Sequence, residues 1–160
     1  MKTRRELFNG ISIYQTSIGR SSNATSGGSY KRFTQTINIA SLSPFYLYRV
    51  DWSVFAAQTY NLELVDSVAA TPSILKTLAS GVAIGAGVYS FTFDDYLINY
   101  SPIYVSLYCA TAVRQNRNSV NKGDFGDYCT LGLVGYDGGF GTTGSCPLTI
   151  HIKYPYFVGN

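Results

Sequence analysis

The sequence predicts an all-β chain, closed as a single antiparallel sandwich of about eight strands. Three observations carry that expectation. Apolar residues recur at every second position in segment after segment, the spacing that turns one face of a strand toward a core. Clusters of glycine, proline and polar residues separate these segments at short intervals. No stretch of helical length holds a 3.6-residue period, and the nearest candidate, Leu75–Ala86, is weakened by Gly81 and Gly85.

The elements follow in order. Residues 1–32 read as an extended N-terminal arm, because Ser21–Ser29 is rich in serine and glycine and only Ile11 and Ile13 alternate before it. The sandwich is expected to occupy residues 33–160, opening with Phe33, Ile37 and Ile39. Pro44 precedes the clearest ladder, in which Tyr46, Tyr48, Val50, Trp52 and Val54 would form one apolar face and Arg49, Asp51 and Ser53 part of the other. Tyr60, Leu62 and Leu64 make the next strand. A loop over Asp66–Ser73 leads to a short strand, Ile74–Ala79, and a turn-rich connection at Gly81, Gly85 and Gly87. Tyr89, Phe91 and Phe93 alternate up to Asp94 and Asp95. Ile103, Val105, Leu107 and Cys109 follow, then a polar loop over Arg114–Gly126. Cys129, Leu131 and Leu133 enter the glycine-rich stretch Gly132–Gly144, and Leu148, Ile150 and Ile152 close the chain. With eight strands a jelly roll is the natural closure. The immunoglobulin-like alternative lacks its Cys…Trp…Cys order, since Trp52 precedes all three cysteines.

Composition points away from chemistry and toward contact surfaces. Charged residues make up only 13% of the chain and aromatics 15%, with 14 tyrosines. Tyrosine suits interfaces, because its ring is apolar and its tip hydrogen-bonds. A surface so poor in charge is expected to be covered in part, by other copies of the chain or by a ligand. The positive charge is concentrated early: Lys2, Arg4, Arg5, Arg20, Lys31, Arg32 and Arg49 face only Glu6 in residues 1–50. Arg4, Arg5, Arg20, Lys31 and Arg32 are thus the candidate assembly residues of the arm. Their spacing is too thin for a polybasic segment, so nucleic acid is not an expected partner. No apolar run follows Lys2, Arg4 and Arg5, and neither a secretory leader nor a membrane span is expected.

Candidate sites are few. Asp94 and Asp95 are adjacent carboxylates at an expected strand end, able to meet a sugar hydroxyl. The glycine-rich stretch would present Tyr136 and Phe140, with Asp137 beside them, as aromatic and acidic contacts for a sugar ring or a partner. Asn121, Asp124 and Asp127 have oxygen ligands three apart but not the EF-hand spacing, so no metal site is assigned. His151, the single histidine, falls on the polar side of the last strand and reads as a surface residue. No nucleophile motif or HExxH occurs, so no catalytic residue, enzyme activity or cofactor is expected. Cys109 and Cys129 read as small buried apolar groups.

The whole pattern, a short mildly basic arm before one Tyr- and Gly-rich sandwich, resembles small virion proteins of bacteriophages. These include capsid decoration proteins, spike or penton jelly rolls and fibre heads. Tyr48–Leu107, with YRVDWSVF, YNLELVD, GVYSFTF and PIYVSLY in succession, also resembles sandwich modules of phage fibres and secreted sugar-binding proteins. The resemblance implies a virion structural protein, made in a host cytoplasm, that self-associates and contacts major capsid or tail proteins. A carbohydrate- or host-receptor-binding module is the alternative it implies.

Overall fold

The computed structural model of the protein describes residues 11–21, 25–39, 44–117, 134–137, 139–141 and 144–157. Among them every regular element is a strand: β1 (Ile11–Gly19), β2 (Thr25–Ile37), β3 (Phe45–Val54), β4 (Gln58–Val65), β5 (Ile74–Ile84), β6 (Gly87–Ile98), β7 (Ile103–Arg117), β8 (Val134–Tyr136), β9 (Gly139–Gly141) and β10 (Leu148–Phe157). No helix among the described residues is long and apolar enough to cross a membrane.

The strands form two antiparallel sheets, ordered β1-β10-β3-β6 and β5-β4-β7-β2-β8-β9. Setting aside the short β8–β9 hairpin, the chain crosses between sheets at every connection except β4 to β5. That is a jelly roll, as the eight alternating segments suggested. The hairpin extends the second sheet beyond β2.

The ladders build one core. Tyr60, Leu62 and Leu64 of β4, Ile103, Val105, Leu107 and Cys109 of β7, and Leu148, Ile150 and Ile152 of β10 are all buried in a single cluster with Trp52, Phe33 and Phe91. Gln35 is a fully buried polar residue: it accepts the Cys146 backbone N–H at 2.9 Å and donates to the Thr36 carbonyl at 3.0 Å, so both ends of its amide are satisfied. Tyr60 is fully buried and its hydroxyl donates to the Ala56 carbonyl at 2.8 Å. Burial pushes this hydroxyl up to about 12 from its ordinary 10.0. A neutral tyrosine held in the fold and released on unfolding loses stability as pH rises from 10 toward 12. The expected loss is about 2–3 kcal/mol across that range. Urea melts at stepped alkaline pH should show it, and Tyr60→Phe should flatten the slope; an unchanged slope would assign the loss elsewhere.

Three expectations from the sequence need correction. The first is the arm. Ile11–Gly19 pairs along its whole length with β10, and Thr25–Ile37 lies between β7 and β8. From residue 11 onward the supposed arm supplies two of the eight jelly-roll strands. The reason it looked unstructured is that β1 is an edge strand and, among its side chains described from Gln15 on, only Ile18 is buried. Arg4 and Arg5 lie outside the described residues.

The second is the ladder of β3. Leu47 faces Ile152 and Arg49 faces His151 on β10, so Tyr48 has no opposite residue. On the other side Leu47 faces Tyr96 and Arg49 faces Thr92, so Phe93, Asp94 and Asp95 bulge opposite Tyr48. A bulge adds a residue and switches which positions point inward. Phe45 and Leu47 are therefore buried before it, and Val50, Trp52 and Val54 after it, while Tyr46 and Tyr48 are only half-buried. The third is the short strand expected at Ile74–Ala79. It runs on to Ile84 through Gly81, whose φ of 64° suits glycine and whose N–H donates to the Asn61 side chain at 2.8 Å.

Candidate functional site

The bulge at Tyr48 organises the outer face of the four-stranded sheet. Arg49 and Asp51 point outward from β3 and meet side by side: Nε donates to Oδ1 at 2.7 Å and Nη2 to Oδ2 at 3.0 Å. Arg49 Nη2 also reaches Ser90 Oγ on β6 at 3.2 Å. From the other flank, His151 on β10 places Nε2 2.8 Å from Asp51 Oδ2. A carboxylate only accepts, so this nitrogen carries the proton. Burial pushes the Asp51 carboxyl up, but hydrogen bonds from Arg49, Ser90 and His151 outweigh it and hold the group below its ordinary 3.8.

Tyr48 stands at the centre of this strip. Its ring centroid is 6.2 Å from the His151 ring, and Lys153 Nζ lies 5.3 Å from the ring centre. Lys153 in turn pairs with Asp95, which the bulge of β6 carries toward β10. The strip therefore reads Asp95, Lys153, Tyr48, His151, Asp51, Arg49, Ser90, with donors and acceptors on both sides of one aromatic ring. Such a row can engage a polyhydroxylated ligand, which needs both kinds of partner and an apolar ring.

Beyond Asp95 the surface turns into a groove between β5 and β6. It has a volume of about 470 Å³ and is lined by Lys76, Thr77, Leu78, Phe93, Asp94, Asp95 and Tyr96. Lys76 Nζ lies 5.6 Å from the Tyr96 ring centre. β5 and β6 end their respective sheets, so this groove is the open side of the sandwich. Ile74, Leu75, Val88 and Leu97 on these two strands are about half exposed, at 52%, 50%, 56% and 48%.

The residues expected to bind from sequence divide sharply. Asp94 and Asp95 are accessible and belong to the groove, though within β6 rather than in a loop after it. Tyr136 and Asp137 do not form a presented tip. Tyr136 stacks on Tyr30 with centroids 4.8 Å apart and packs against the core. Asp137 accepts the backbone N–H groups of Lys31 and Arg32, each at 2.7 Å, where β2 is irregular. It satisfies donors that the bulge leaves without ladder partners. Phe140 lies in β9 opposite Gly135, and its side chain is outside the described set. The hairpin is further fixed from above: a Cβ on Gly135 would stand 2.5 Å from the Val68 carbonyl, so the loop after β4 lies directly against β8.

The basic residues assigned to assembly divide likewise. Arg20 and Lys31 are exposed. Arg32 is buried, and donates Nη1 to Glu63 at 2.6 Å and to Ser106 Oγ at 2.9 Å. His151, read as a plain surface residue, is half-buried and tied to Asp51. The loop of Asn121, Asp124 and Asp127 and Cys129 lie outside the described residues. Cys109 and Cys146 are both buried.

No family model and no curated protein matches the chain. Among solved structures it is similar to the clostridial cysteine protease Cwp84 after propeptide cleavage, with a TM-score of 0.61 at 10% identity over 88% of this chain and 40% of that one. It is also similar to the structure of the cysteine protease and lectin-like domains of Cwp84, a surface layer associated protein of Clostridium difficile, with a TM-score of 0.60 at 11% identity over 88% of this chain and 36% of that one. The chain thus spans well under half of either structure, and at these identities the likeness is one of fold.

Proposed function

We propose that this chain is a non-enzymatic structural protein of a virion that works by self-association and by contacts with other particle proteins. The observation that carries this reading is the open side of the sandwich. Two long edge strands lie there with half-exposed Ile74, Leu75, Val88 and Leu97 and, between them, only Lys76, Asp94 and Asp95 as charges. Natural sheet edges are usually short, charged or covered. An apolar edge pair on a chain that is 13% charged fits a protein whose working state is an assembly. The strand pattern that resembles phage virion proteins, on a jelly roll, is the support for the virion setting within this proposal. Mass spectrometry of particles purified from a producing culture should find the chain in fixed ratio to the major capsid or tail protein. Its absence from such particles would remove the virion reading.

A second reading, carbohydrate or host-receptor binding, is favoured by the strip centred on Tyr48. The lectin-like domain named for one similar structure adds support. A glycan array with the purified protein is the test. Tyr48→Ala and Lys153→Ala should each weaken any glycan bound by about tenfold or more, with the melting temperature little changed. An array without hits would discard this reading and leave the structural one standing.

A further inference from the structure

We infer that the open side of the sandwich pairs with a second copy of this chain in a closed, reciprocal dimer, β6 of each copy lying antiparallel to β5 of the other. The inference rests on the assembly reading above and gives it a partner and a geometry. β5 and β6 are joined by two residues, Gly85 and Ala86, and run in opposite directions as the last strands of different sheets. Positions equally far from that connection stand at about the same height. Lys76 is level with Asp94 and Asp95, as their shared groove confirms. Ile74 and Leu75 are level with Leu97, and Val82 and Ala83 with Val88 and Tyr89.

A twofold axis parallel to the strands keeps every residue at its own height. It brings β5 of one copy beside β6 of the other with the antiparallel direction that a ladder needs. Rows then match by type. Ile74 and Leu75 meet Leu97 of the second copy, Lys76 meets Asp94 and Asp95, and Val82 meets Val88 and Tyr89. The match occurs twice, because the contact is isologous and closes on itself. Both open edges vanish together, and each four-stranded sheet continues into the six-stranded sheet of its mate. A β5–β5 contact would instead set Lys76 against Lys76, and a β6–β6 contact carboxylates against carboxylates. Charge selects the reciprocal arrangement.

Charge-reversed variants test this on the full chain by light scattering after size exclusion. Wild type is expected at twice the 17.5 kDa chain mass. Lys76→Glu alone and Asp94→Lys alone each place like charges in both contacts, and each should weaken the dimer on the order of tenfold to a hundredfold. Mixed in equal amounts, the two variants should recover the dimer. In the mixed pair one contact is Glu with Lys and the other is the native Lys with Asp. Mixing cannot mend a defect within one chain, so recovery isolates the contact between copies. Circular dichroism checks that both variants remain folded, and Val88→Lys offers an independent block if either does not. Monomeric wild type at high concentration overturns the dimer and weakens the assembly reading with it. An oligomer indifferent to these variants, or larger than two, overturns the reciprocal geometry alone.

Discussion

Replacing Arg32 with methionine is expected to destabilise the domain by about 3–5 kcal/mol, because it strands a buried carboxylate. Glu63 is 3% exposed at its side chain and receives the Arg32 guanidinium at 2.6 Å. The same guanidinium donates to Ser106 Oγ, which also receives Thr34 Oγ1 at 3.0 Å, and lies 4.8 Å from the Tyr108 ring centre. One substitution therefore disturbs three strands at once: β2, β4 and β7. Urea denaturation reads the loss directly. The double variant Arg32→Met, Glu63→Leu should regain most of it, since two apolar groups of similar size remove the stranded charge. A loss under about 1 kcal/mol for the single variant would mean that Arg32 behaves as the solvated arm residue its sequence neighbourhood suggests.

That contrast marks where sequence reading stops. Glu63 alternates with Leu62 and Leu64, so its place on the outer face of β4 is legible. Its partner is not, because Arg32 is 31 positions earlier and the pairing of β4 and β2 with β7 is what brings them together. The unbroken ladders of β4, β7 and β10 were legible for the opposite reason: each repeats at period two without interruption, and all bury the residues that alternation picks out. The bulge at Tyr48 carries no compositional mark, so the ladder of β3 looks continuous through it. Asp94 and Asp95 looked like a strand ending because paired carboxylates seldom continue a strand. They continue one here by bulging out of it. Asp137 reads from sequence as an acidic contact for a ligand, but it caps two backbone N–H groups 105 and 106 positions away, which no local pattern shows. The strip of the candidate site was missed as a unit for the same cause: His151 and Asp51 are 100 positions apart, and only the β3–β10 register joins them.

Trp52 and Tyr48 make the bulge itself testable. If β3 alternated without interruption, both rings would lie on the core side and their truncation would cost alike. The register puts Trp52 opposite Leu148 and Tyr89 on the far side of the bulge, and its side chain is fully buried. Trp52→Ala is therefore expected to cost about 3–5 kcal/mol, the transfer loss plus a cavity that two opposed sheets cannot close. Trp52→Phe should cost much less, within about 1.5 kcal/mol. The indole Nε1 finds no acceptor among the described residues, so losing it removes a buried donor without a partner. Tyr48→Ala should stay within about 1 kcal/mol, since it removes contacts with Lys153 and His151 on a solvent-facing side. Urea titrations of the three variants at neutral pH decide it. A Tyr48→Ala loss as large as that of Trp52→Ala would place the tyrosine ring in the core and erase both the bulge and the strip built upon it.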